Sequence, residues 1–207
     1  MTKDFLSIII PAYNPDETVF RRLLATLNEQ IGDRDNVEIV VVDDGSDIGL
    51  SLIVSEYKHI VYVRQINLGE PSARNTGIEL AQGEYIQFID ADDEIIGDCV
   101  SIVLENMRQG YDWVSYDWKC DNHKEWAQQT SDPLMINCAV WAYSFRAEMF
   151  KTQRFNPSLR LGCDTDWLGR ALKPEQKHMH DHRIFYNYRW CDNENSLCHR
   201  KIRGEIV

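Results

Sequence analysis

A single α/β domain, with a mostly parallel central sheet flanked by helices, is predicted for this chain, and two observations predict it. Apolar runs of strand length alternate with helical repeats as β-α-β-α-β-α-β through residue 90, the order that yields parallel strands joined by right-handed crossovers. Each of these apolar runs ends in a polar cluster: Tyr13-Asn14, Asp43-Asp44, Asn67, and Asp90 with Asp92. Open sheets of this kind bind ligands beyond the carboxyl ends of their strands. Four strand ends therefore converge on one candidate site.

Residues 5–10 are apolar apart from Ser7, the pattern of a strand covered on both faces, and the run stops at Pro11. Asn14, Pro15 and Glu17 then read as a helix start, with Asn14 as N-cap and Glu17 three residues on. Val19, Phe20, Leu23, Leu24 and Leu27 recur at helical spacing, and Gly32 lies just past the end. Residues 38–42 form a second buried strand running into Asp43-Asp44-Gly45-Ser46, followed by a helix over 50–57 and a strand over 59–64. Residues 67–71 read as a loop, 72–82 as a helix ending at Gly83, and 85–89 as the strand leading to Asp90.

Beyond Asp93 the regularity weakens. A helix over 98–108 carries Val100, Val103, Leu104 and Met107 on one face. A strand over 112–118 precedes an irregular polar stretch, 119–137, the candidate for a mobile lid. Residues 139–145 read as a strand with a short helix to Lys151, 164–172 as a short helix and 184–190 as an aromatic strand. With 207 residues, no internal repeat and no clean linker, 1–207 is expected to form one domain. Its halves are 1–97 and 98–207.

Composition narrows the function. Hydrophobic content of 43% with 27% charged residues is globular. A net charge of -11 without a Lys/Arg run argues against nucleic acid and against unaided docking to an anionic membrane. Six scattered cysteines without a CxxC pair fit reduced thiols. The apolar run before Pro11 is too short for a signal peptide, and no run approaches a membrane span. The expectation is a cytoplasmic protein, with peripheral placement at the inner face of the membrane as a further option; the oligomeric state stays open.

Asp90, Asp92 and Asp93 crowd one strand end. Like charges this close raise one another's pKa unless a cation lies among them, and hard oxygen ligands suit Mg2+ or Mn2+. The alternative is a polar loop in which Asp92 or Asp93 is an N-cap. Neither GxGxxG nor GxxxxGK[ST] occurs, so phosphate binding falls to a metal and to arginine. His178, His180 and His182 alternate, which on a strand puts all three on one face, either as a metal group or as an exposed edge.

Taken together, Ser7-Ile-Ile-Ile-Pro-Ala-Tyr-Asn14, Val42-Asp-Asp-Gly-Ser46, Asn67-Leu-Gly with Ala73-Arg-Asn-Thr-Gly77, and Asp90-Ala-Asp-Asp93 resemble the family 2 glycosyltransferases of GT-A fold. The match is close over the first half. It continues loosely through Val140-Trp141, Arg154-Phe155, the Asp164 segment, and Tyr188-Arg189 with Asn195-Ser196. The resemblance implies inverting transfer from a nucleotide-diphosphate sugar to an acceptor hydroxyl, helped by Mn2+ or Mg2+. The donor half would be 1–97 and the acceptor half 98–207.

The implied nucleotide-sugar site comprises Pro11, Ala12, Tyr13, Asn14, Glu17, Asp43, Asp44, Asn67, Arg74, Asp90, Ala91 and Asp92. Tyr13 can stack on a base or pack as a loop aromatic. Asp44 matches the acceptor for the uracil imide, favouring UDP sugars. Asp43 serves the base or holds a loop whose Asp-Gly-Ser is turn chemistry on any fold. Arg74 meets ribose or phosphate or lies on a solvated helix face. Asp92 would hold the metal and Asp90 the ribose or a metal-bound water, with Asp93 as the alternative ligand; one of the histidines could complete the shell.

The general base matches Asp164 in Gly162-Cys163-Asp164-Thr-Asp-Trp167, with Asp166 as fallback and an N-cap as the plain alternative. Cys163 departs from the family's usual Glu. Trp141 and Trp167 form either an acceptor wall or core. Glycan, lipid-linked sugar and protein acceptors stay open, with cell-surface polysaccharide synthesis the usual setting. A catalytically inactive nucleotide-sugar binding module is the alternative from another class. A nucleotidyltransferase lacks its Gly-rich phosphate loop here, and a glycoside hydrolase needs no nucleotide site.

Overall fold

The computed structural model describes residues 2–121, 139–159, 161–189 and 202–204. The candidate lid largely falls on 122–138, outside the described residues, as do Trp190 and Asn195-Ser196.

The first half is a parallel α/β unit. Strands β1 (Thr2–Ala12), β2 (Val37–Asp43), β3 (Ile60–Arg64) and β4 (Gly83–Phe88) alternate with helices α1 (Glu17–Ile31), α2 (Ser51–Val54) and α3 (Glu70–Leu80). They lie in the order β3-β2-β1-β4, every neighbouring pair parallel. β2 is buried at every position, as expected of a strand covered on both faces. The α1 stripe of Val19, Phe20, Leu23, Leu24, Leu27 and Ile31 is buried, and Gly32 ends the helix at φ 57°, a conformation that favours glycine.

The second half departs from a simple parallel sheet. β5 (Glu94–Ile95), α4 (Cys99–Met107), β6 (Trp113–Cys120), a 3-10 turn (Val140–Ala142), β7 (Tyr143–Arg146), α5 (Met149–Thr152), α6 (Cys163–Ala171) and β8 (His178–Tyr188) complete the described elements. The sheet continues from β4 as β7-β6-β8-β5. β7 is antiparallel to both β4 and β6, β8 is parallel to β6, and β5 is antiparallel to β8.

Several expected boundaries move, each for a local reason. The N-cap of α1 is Asp16, whose carboxylate accepts from the Val19 N–H at 3.0 Å; Asn14 instead turns to φ 46° and bonds Ser46 and Asp47. α3 begins at Glu70, with Pro71 in its first turn where a missing N–H costs nothing. Gly83 starts β4 instead of ending α3: a Cβ there would lie 2.7 Å from the Ser7 backbone N. The expected strand at 139–145 is a 3-10 turn followed by β7, and the histidine stretch and the aromatic strand are one element, β8.

An aromatic cluster locks the two halves together. Phe88 of β4, Phe145 of β7, Phe150 of α5, Phe155 and Trp167 of α6 meet with ring centroids 4.4–6.5 Å apart, the spacing of favourable edge and offset contacts. This packing brings the N-terminus of α6 to the tip of β4. None of the described helices is long and apolar enough to cross a membrane, and no disulfide joins the described cysteines Cys99, Cys120 and Cys163.

Candidate active site

The strand tips carry two preorganised loops. In the first, Asp43 is buried and accepts from Ser46 N at 2.8 Å, Tyr62 Oη at 2.8 Å and Leu50 N at 3.3 Å. Burial pushes its pKa up, yet these hydrogen bonds outweigh burial and hold the carboxyl below its ordinary value. Asp43 thus holds the loop, one of its two expected tasks. Asp44 accepts from Gln65 Nε2 at 2.7 Å and Leu68 N at 2.9 Å on Oδ1, and from Gly69 N at 2.8 Å on Oδ2. A carboxylate has about four acceptor positions, so one place on Oδ2 is left for a ligand N–H. Gly45 allows this closeness: it sits at φ +78°, and a Cβ would lie 2.7 Å from Asn67 N. Tyr13 is 49% exposed beside this loop, and Asn67 is exposed too. Glu17 lies on the outer face of α1, paired with Arg21 at 2.7 Å. Pro11 and Ala12 are buried at the end of β1, in register with Val42 and Asp43.

At the β4 tip the organising residue is Arg74. Only 1% of it is exposed, which overturns the reading of a solvated helix face. Its guanidinium binds Asp164 and Glu70, and Asp90 at 3.1 Å. It also lies 5.5 Å from the Phe155 ring centroid and 6.0 Å from that of Phe88, stacked as Arg readily is. Its Nε is buried with no partner among the described residues.

Asp164 stands in the first turn of α6 and is the residue that joins the halves. Oδ1 takes Arg74 and, at 3.2 Å, the Cys163 thiol, while Oδ2 takes the Val140 N–H at 3.0 Å. One acceptor place on Oδ2 remains. Cys163, where the family commonly has an acid, is buried; burial pushes its thiol up, so it stays neutral and donates to Asp164. Asp166 turns outward and pairs with Arg170 at 2.7 Å.

The acids crowd as their spacing foretold. Burial raises Asp90 well above the ordinary carboxyl value in spite of Arg74, and burial with the charges of Asp92 and Asp90 does the same for Asp93. Burial also raises Glu70, against the pull of Arg74. Asp92 and Ala91 lie between, the first half-buried and the second buried. Asp93, the alternative metal ligand of the sequence, is held by two hydrogen bonds. It is buried, with Oδ2 taking the Tyr186 hydroxyl at 2.6 Å and Oδ1 the Arg189 N–H at 2.8 Å, so it ties the end of β8 to the rim.

Both tryptophans take the core, one of the two places expected of them. Trp167 is 0% exposed and belongs to the aromatic core, its indole N–H given to Gln153 O at 3.2 Å, so it cannot wall an acceptor pocket. Trp141 is buried as well, stacked on Tyr186 at 4.3 Å and set edge-on to Trp118 at 5.1 Å. The sequence reading overlooked Glu70 and Tyr186. The i,i+4 spacing of Glu70 and Arg74 was the available signal for the first; nothing local marked the second.

Comparison with known proteins bears on the family and the fold. The family described as Glycosyl transferase family 2 matches residues 7–172. An uncharacterized glycosyltransferase of Haemophilus influenzae is 34% identical over 116 residues, 54% of this chain and 45% of that protein. The minor teichoic acid biosynthesis protein GgaB of Bacillus subtilis is 37% identical over 92 residues, 42% of this chain and 10% of GgaB. The chain thus spans less than half the length of these relatives. The crystal structure of S. aureus TarS 1-349 in complex with UDP superposes with a TM-score of 0.79 at 22% identity, covering 89% of this chain and 60% of that one. That likeness shows a shared fold.

Proposed function

The chain belongs to glycosyl transferase family 2, and on that premise we propose that it transfers a sugar from a nucleotide-diphosphate donor, a UDP sugar, to an acceptor hydroxyl with inversion. The observation that carries this reading is the Arg74 bridge, which gathers Asp90 from the donor half and Asp164 from the acceptor half into one rim. The uracil N–H would take the remaining place on Asp44 Oδ2 while Tyr13 stacks on the base. Arg74, its guanidinium gathered by three carboxylates, supplies the positive charge nearest the donor's ribose and phosphates.

In the transfer, the acceptor oxygen attacks the anomeric carbon as the bond from that carbon to the diphosphate oxygen breaks, and Asp164 Oδ2 takes the hydroxyl proton. UDP leaves with the bonding electrons. The oxygen donors of Asp90 and Asp92 fit Mg2+ or Mn2+, and beside them burial and the neighbouring acids raise the pKa values of Asp90 and Asp93. Such an ion, when bound, neutralises charge growing on the leaving diphosphate. We place the donor in 1–97 and the acceptor, a glycan or lipid-linked sugar of the cell surface, in 98–207. The naming of GgaB for teichoic acid synthesis supports that setting.

A second reading, a nucleotide-sugar binding module without catalysis, is favoured by one fact: Arg74, Cys163 and Val140 already occupy most of Asp164. Calorimetry with UDP, GDP and CDP, with and without Mn2+, tests donor choice, and UDP should bind most tightly. Donor-sugar turnover by Asp164→Asn decides between the readings. Retained UDP binding with abolished turnover is expected; turnover equal to wild type rules out Asp164 as the base, and no turnover by either protein favours the binding module.

A further inference from the structure

We propose that Asp117, His180 and His182 form a second metal site, for a Zn2+-class divalent ion, separate from the acidic rim. The site arises from a defect in strand pairing. β6 and β8 run parallel with Tyr116 opposite Asp181, but Asp117 is next opposite Ile184. This slip sets both histidines against one carboxylate. His180 Nε2 lies 2.8 Å from Asp117 Oδ1 and His182 Nδ1 lies 3.1 Å from Asp117 Oδ2. One ligand atom from each residue lies within 4.8 Å of the others. His178, although in phase with them, is not a member: its ring stacks on Trp113 at 4.3 Å and its Nδ1 meets Gln176 O at 2.8 Å.

The surroundings suit a metal. The second ring nitrogen of His180, Nδ1, lies 2.8 Å from Ser115 Oγ. With Nδ1–H donated to the hydroxyl, Nε2 presents its lone pair, the outer-shell arrangement that orients ligating histidines. The side chains of Asp117 and His180 are buried, whereas that of His182 is 67% exposed, so the group is closed behind and open to water in front. Two imidazoles and a carboxylate with an open position form a ligand set for Zn2+, Co2+ or Ni2+, not for the hard ions that suit an all-carboxylate rim. Tyr186, which holds Asp93, lies four residues beyond His182 on β8, about 13 Å at about 3.3 Å per residue. An ion here would staple β6 to β8 at their slip and steady the strand that supports the rim.

The test uses chelator-stripped protein titrated with Zn2+ by calorimetry and with Co2+ by visible absorption. Wild type and Asp92→Asn should each take up one equivalent at this site, with Co2+ giving ligand-field bands. His182→Ala, a change at an exposed side chain checked for folding by circular dichroism, should weaken Zn2+ binding by more than about 100-fold. Ser115→Ala should weaken it by about 10–100-fold, as loss of an outer-shell partner does. Equal uptake by folded His182→Ala, loss of the site in Asp92→Asn, or no saturable uptake by wild type would each overturn the proposal and leave a purely hydrogen-bonded cluster.

Discussion

Replacing Arg74 by methionine keeps an unbranched apolar stem and removes the guanidinium with its charge. Three carboxylates, Glu70, Asp90 and Asp164, then lose their shared partner in a partly desolvated rim. Removing one member of a buried ion pair costs about 3–5 kcal/mol, and for a chain of this size about 2–4 °C is lost per kcal/mol. The expected fall in Tm at pH 7.5 is therefore about 6–20 °C. The pH dependence follows from linkage. Glu70 and Asp90 have folded pKa values raised above their unfolded values near 4.3 and 3.9, with burial as the main cause. The folded state holds these protons more tightly, so their contribution to stability is intact below about pH 4 and is lost as pH rises through the folded values. Without Arg74 those values rise further, so the deficit of Arg74→Met is greatest at pH 7.5 and shrinks at pH 5. Thermal unfolding followed by circular dichroism at both pH values measures it. A loss below about 2 °C at pH 7.5, or one that grows on acidification, would refute the view that Arg74 neutralises the rim. In an Asp90→Asn, Asp164→Asn background the same change should cost less, because fewer carboxylates are left without a partner.

Two further perturbations probe how the rim is carried. Gly77→Ala places a methyl group 2.4 Å from Ile9 Cγ2 where α3 crosses β1; overpacking of this kind costs about 1–3 kcal/mol, and urea unfolding should show Ile9→Ala recovering part of it. Tyr186→Phe removes the 2.6 Å hydroxyl bond to buried Asp93, which should cost about 1–3 kcal/mol in unfolding free energy for the partner left unpaired. It should also lower UDP-sugar turnover if Asp93 steadies the β4 tip; unchanged stability would mean that Asp93 is satisfied from elsewhere.

What a local pattern can encode, the sequence by itself determined. The α1 stripe, the buried β2 run and the acids closing β4 are set by neighbours within a few residues, where hydrophobic period and turn chemistry act. The Asp-Asp-Gly loop was legible as a turn for the same reason, since Asp43 accepts from Ser46 N three residues on, whereas the grip of Asp44 on Leu68 and Gly69 spans 24 and 25 positions. Residues whose role depends on distant partners were not legible. Arg74 meets Asp164 across 90 positions, and Asp117 meets His182 across 65. Trp167 beside the candidate base reads equally as pocket wall or core, because spacing fixes which face of α6 it occupies but not what covers that face. Only the tertiary structure, by packing Trp167 against Phe145 and Phe150, turned it inward and left Asp164 at the rim. The reason is physical: periodicity is a property of one segment, whereas burial and charge pairing belong to the surfaces that segments present to each other once the sheet has assembled.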